Sequence, residues 1–112
     1  MAETILGEIW YRGKRKVLVH VTSSGPSSYA SGGFNVTVNS LRWVEKVIMA
    51  SNDGGYKVEP GDISIGTGAN RNVLTVPVKY YDYDAGADGA AIEVAAGTDL
   101  SAVTFSFIVI GA

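Results

Sequence analysis

"VTFSFIVI", Val103–Ile110, decides the fold. Val103, Phe105, Phe107 and Val109 fall on one face of an extended chain, and Thr104, Ser106, Ile108 and Ile110 fall on the other. Side chains of a strand alternate between faces, so this is a period-2 pattern of β-branched and aromatic residues. Its end is apolar on both faces, which implies cover on both sides. The expected cover for the second face is another protomer.

The same alternation recurs upstream. "KVLVHVT", Lys16–Thr22, sets Val17, Val19 and Val21 against Lys16, Leu18, His20 and Thr22. "FNVTVN", Phe34–Asn39, sets Phe34, Val36 and Val38 against three polar residues. Further strands are predicted at Ile5–Tyr11, Arg42–Ala50, Tyr56–Glu59, Val73–Tyr81 and Ala91–Val94, with "DISIG" (Asp62–Gly66) as a short extra one. "NSLRWVEKVIMA" also fits a helix, with Leu41, Val44 and Ile48 at helical spacing. Its competing alternation favours a turn at Asn39–Leu41 followed by a strand.

Turn chemistry separates these runs. Gly13 in "RGK" can close a tight hairpin, Asp53–Gly54 is a short hairpin signal, and "EPGD" (Glu59–Asp62) is a Pro-Gly turn. "GTGAN" (Gly66–Asn70) is a turn and not a nucleotide fingerprint, because the third glycine and a βαβ setting are missing. "SSGPSSYASGG", residues 23–33, reads as a flexible Gly/Ser crossover loop or flap. The fold class expected for the 112 residues is all-β: one domain, a β-sandwich or jelly-roll-like arrangement of seven to eight short, mostly antiparallel strands.

Composition narrows the chemistry. The chain is 46% hydrophobic and 18% charged, which excludes a disordered polymer. A formal net charge of -2 argues against a globally basic nucleic-acid binder. Without cysteine there is neither a disulfide nor a thiolate nucleophile, and a single histidine, His20, cannot form a multi-histidine metal site. The N-terminal residues do not read as a secretory leader, and no apolar run reaches the roughly 20 residues of a membrane span. The sequon at Asn35–Thr37 is therefore given no weight.

Two charged regions stand out. Arg12, Lys14, Arg15 and Lys16 gather four of the nine Lys and Arg residues at one hairpin, a candidate partner-binding patch. Asp82, Asp84, Asp88 and Glu93 crowd the stretch from Tyr80 to Val94. Counted as a calcium loop from Asp82, position 6 is Ala87 where glycine is needed; counted from Asp84, position 12 is Ala95. Neither register works, so no metal site is assigned and the stretch reads as a solvated hairpin loop. Tyr81 and Tyr83 share a strand face beside it, and with Trp10, Tyr11 and Trp43 they suit either an interface or a sugar platform. No G-x-S-x-G elbow appears, no nucleophile–base pair can be named, and no cofactor is expected.

"VKYYDYDAGADGAAIEVAAGTDLSAVTFSFIVIGA" (Val78–Ala112) resembles the C-terminal part of small virion proteins of tailed bacteriophages, in which an aromatic and acidic strand leads through "GTDLS" to a last apolar strand. "SGGFNVTVNSLRWVEKVIMAS" (Ser31–Ser51) resembles their N-terminal half. The resemblance implies a non-enzymatic structural protein of the capsid decoration (cement) type. It would be assembled in the host cytoplasm onto the virion surface, with the major capsid protein as partner and neither membrane nor nucleic acid contacted directly. Capsid local symmetry favours a homotrimer. The alternative is a carbohydrate-binding or tail-associated β-sandwich module.

Overall fold

The computed structural model describes residues 2–81 and 91–112, and the fold is all-β. Among the described residues nine strands are formed: β1 (Ala2–Tyr11), β2 (Lys14–Ser24), β3 (Phe34–Thr37), β4 (Val44–Asn52), β5 (Ser64–Ile65), β6 (Val73–Val76), β7 (Lys79–Tyr81), β8 (Ala91–Glu93) and β9 (Thr104–Gly111). They build a four-stranded sheet in the order β1-β2-β9-β4, a three-stranded sheet in the order β3-β6-β5, and the ribbon β7-β8. All pairings are antiparallel.

β9 sits inside the larger sheet between β2 and β4. Val109 pairs with Val19 on one side and Val47 on the other, and Phe107 pairs with Val21. Directly opposed residues share a face. The inward face therefore carries Val17, Val19, Val21, Val47, Phe105, Phe107 and Val109, all buried. The smaller sheet answers with Phe34, Val36, Leu74 and Val76. Phe34 and Phe105 meet with ring centroids 5.0 Å apart at 57°, a tilted pair joining the two sheets. Each fully buried side chain of this kind contributes about 1.5–3 kcal/mol. The buried residues form one cluster, consistent with a small β-sandwich.

The helical reading of Asn39–Ala50 is not realised; a turn and β4 form there. Two predicted strands are corrected. Val73–Tyr81 breaks into β6 and β7 at Pro77, which has no N–H for the ladder. Tyr56–Glu59 does not form a strand, because the Asn52 side chain takes the Tyr56 backbone: its Oδ1 accepts from Tyr56 N–H at 3.1 Å, and its Nδ2 donates to Tyr56 O at 2.8 Å. Only Lys57 bridges to Lys79. For the same reason Asp53–Gly54 closes no two-residue hairpin.

Residues 23–33 supply the end of β2 and the crossover to the second sheet. Tyr29 anchors that crossover. It is 1% exposed, its N–H donates to Thr98 O at 2.9 Å, and its carbonyl accepts from Gly97 N–H at 2.7 Å.

Candidate functional site: an exposed edge strand and its basic hairpin

β1 lies at the edge of the larger sheet, with β2 as its single neighbour among the described residues. It adds nothing to the core. Ile5, Leu6, Ile9, Trp10 and Tyr11 are 50–65% exposed, the largest concentration of bare apolar side chains among the described residues. The sequence explains this. Apolar residues fall at 5, 6, 9, 10 and 11, which is not a period of two, so β1 has no core face to turn inward. An extra residue at Leu6 breaks the register between Ile5↔Val19 and Gly7↔Leu18.

The β1–β2 hairpin also projects past the sheet. β9 ends at Gly111, opposite Val17, so among the described residues the backbone of Lys14, Arg15 and Lys16 is paired with β1 alone. The turn is Arg12–Gly13, with Tyr11 paired to Lys14. Both turn residues have positive φ, 52° and 75°, the geometry of a tight type I′ turn that suits strand twist.

The structure divides the four predicted hairpin cations. Arg15 donates to Glu8 Oε2 from Nε at 2.9 Å and from Nη2 at 2.7 Å, and this holds the Glu8 carboxyl below the usual carboxylate range. Lys16 pairs with Glu45 on β4. Arg12 and Lys14 form no ion pair among the described residues; the Arg12 guanidinium lies 5.3 Å from the Tyr11 ring centroid. The outward charge is thus two cations at the tip rather than four.

The outer face of the sheet continues the apolar surface. By register, Leu18 lies beside Ile110, His20 beside Ile108, and Ile108 beside Met49. Ile108, Ile110, Leu18 and His20 are half-buried and Met49 is exposed.

Tyr83 and the acids Asp82, Asp84 and Asp88 lie outside the described residues, as does the Tyr81 side chain; the backbone of Tyr81 pairs with Ala91. Glu93 has a different task from the one considered for it. Its carboxylate accepts hydrogen bonds from the Tyr29 hydroxyl, Ser31 Oγ and Gly32 N–H. Among the described residues no group of three His, Asp or Glu side chains converges on a metal position.

A concave feature on the smaller sheet was not foreseen. An open cleft of about 480 Å³ lies between the outer side of β3 and β6 and the loop from Gly66 to Asn70. Asn35, Thr37, Thr67, Asn70 and Thr75 line it with amides and hydroxyls. Such groups donate and accept hydrogen bonds but cannot take part in acid–base chemistry near neutral pH. In sequence they are scattered polar positions of two alternating strands (Asn35, Thr37, Thr75) and of a turn (Thr67, Asn70), indistinguishable from solvated ones.

No family model matches the chain, and comparison with curated proteins and with solved structures gives no match. Among the described residues, no helix is long and apolar enough to cross a membrane.

Proposed function

We propose that the chain is a non-enzymatic virion structural protein of the capsid decoration type, which works by binding its neighbours through β1 and the adjoining hairpin. The observation that carries this reading is the bare apolar edge strand. Five large apolar side chains exposed on the two faces of one edge strand are more than scattered single surface residues and mark an interaction surface. The edge itself offers unpaired backbone groups for strand addition. The particular class, a phage head protein, is supported by the resemblance of residues 31–51 and 78–112. The major capsid protein is then the partner, and many weak contacts act together over the particle surface. Cryo-electron microscopy of the parent particle tests this. Density for the chain on the head, with β1 turned toward a neighbouring subunit, is expected. Particles without the chain would overturn the proposal.

The cleft on the smaller sheet favours a second reading, carbohydrate binding. Its neutral amide and hydroxyl lining suits a polyhydroxyl ligand. Glycan-array binding abolished by Asn70→Ala would support it; uniformly negative arrays would remove it.

A further inference from the structure

We propose that β1 is completed by β1 of a second copy. The two strands run antiparallel about a two-fold axis near Leu6 and Gly7, so that two four-stranded sheets become one of eight. The inference rests on the reading of β1 as an association surface and assigns its free edge to a second copy, so that the pair meets the capsid through its other surfaces.

β1 is ten residues long and offers about 33 Å of edge. Edge strands avoid pairing through outward charges, proline or bulges. Proline and lysine are absent from β1. Its two acids are engaged within the chain: Glu3 accepts from the backbone N–H groups of Asn39 and Ser40, and Glu8 accepts from Arg15. Only the Leu6 bulge remains as a device against pairing, and it sits in the middle of the strand.

Charge sets the direction. Glu3, still ionised while it accepts from Asn39 and Ser40, marks one end of β1, and Arg12 and Lys14 mark the other. An antiparallel pair places the acidic end of each copy beside the basic tip of its mate. A parallel pair would stack like on like. A two-fold axis makes this favourable contact twice from one surface, which is how an isologous interface forms. The chain therefore carries both halves of the complement, the opposed charges and exposed apolar side chains on either face of β1, Ile5 and Trp10 on one and Ile9 and Tyr11 on the other. Five half-exposed apolar side chains present on the order of 500 Å² per copy. With the strand backbone this approaches the roughly 800 Å² per partner of a standard interface.

Sedimentation equilibrium of the isolated protein, from low to high micromolar, is the test. A species of twice the 11.8 kDa chain mass is expected. Ile9→Lys should raise the dimer dissociation constant at least tenfold with an unchanged circular dichroism spectrum, whereas Tyr80→Lys, away from the edge, should not. Should Ile9→Lys fail to fold, cross-linking replaces it. The chain has no cysteine, so Gly7→Cys should oxidise to a covalent dimer while Ser101→Cys stays a monomer. A monomeric or trimeric wild-type protein, or equal cross-linking of the two variants, would overturn the two-fold pairing. A monomer that still occupies the capsid would overturn this inference alone; a dimer absent from the particle would overturn the virion reading alone.

Discussion

The Tyr29 hydroxyl donates to Glu93 Oε2 at 3.2 Å and accepts from the Val78 N–H at 3.0 Å, which ties the crossover between the sheets to β8 and to the residue that precedes β7, on either side of the acidic stretch. Phenylalanine at this site would keep the packing and leave a buried N–H without a partner. Tyr29→Phe should cost about 1–3 kcal/mol, read as a lower midpoint in urea. Glu93→Gln should cost less, because its amide oxygen can still accept. Burial raises the Tyr29 pKa above its ordinary 10, and the nearby Glu93 charge adds to the rise. The folded state therefore holds the proton more tightly than the unfolded state. Stability is intact below pH 10 and falls as pH climbs above it. Tyr29→Phe should flatten that alkaline limb.

Glu3 acts at the opposite end of the pH scale. Burial pushes its pKa up, but hydrogen bonds from the Ser40 backbone and side chain and from the Asn39 backbone outweigh burial and leave it below the usual 4.5. The sign is opposite to that of Tyr29. Its contribution is present above the unfolded pKa and disappears as pH falls through the folded one. Glu3→Gln should lower stability modestly at pH 7, by less than about 1 kcal/mol because the group is largely solvated. The difference from wild type should vanish in acid melts.

Arg12 occupies the left-handed region at φ 52°, where asparagine and glycine are at home. Arg12→Asn should raise stability by about 0.5 kcal/mol, seen as a small increase in Tm without change in the strand signal.

The four hairpin cations should separate into two pairs by experiment. Serine at Arg12 and Lys14 should slow association with a partner several-fold and weaken its salt dependence, leaving stability within about 0.5 kcal/mol. Serine at Arg15 and Lys16, which are paired with Glu8 and Glu45, should instead act on stability. Stopped-flow association and thermal melts distinguish the two. Equal kinetic effects from both sets would contradict the division.

Strands that bury one face were legible because burial imposes alternation. β2, β3 and β9 advertise their inward residues directly, and β4 prevailed over a helix through the same pattern. What the sequence hid was long-range. Nothing local shows that the Asn52 amide would take the Tyr56 backbone, or that Tyr29, inside a run of serine and glycine, would be fully buried against Thr98 and Val78. Glu93 looked like one of four clustered acids, yet its partners lie some sixty residues away in the crossover. The hairpin charge was overcounted because Glu8 and Glu45 could not be matched to Arg15 and Lys16 before the register was known. β1 was the informative failure of alternation. Its apolar residues were visible, and their irregular spacing already meant that no face of it enters this chain's core.

Amide hydrogen exchange followed against protein concentration tests most directly whether β1 is an association surface. Half of the β1 amides point toward β2 and half point away. Slow exchange of the outward half at high micromolar concentration, lost on dilution while β2 and β9 stay protected, is the predicted result. Outward β1 amides that exchange at the unprotected rate at every concentration, alone and with the partner particle, would contradict it.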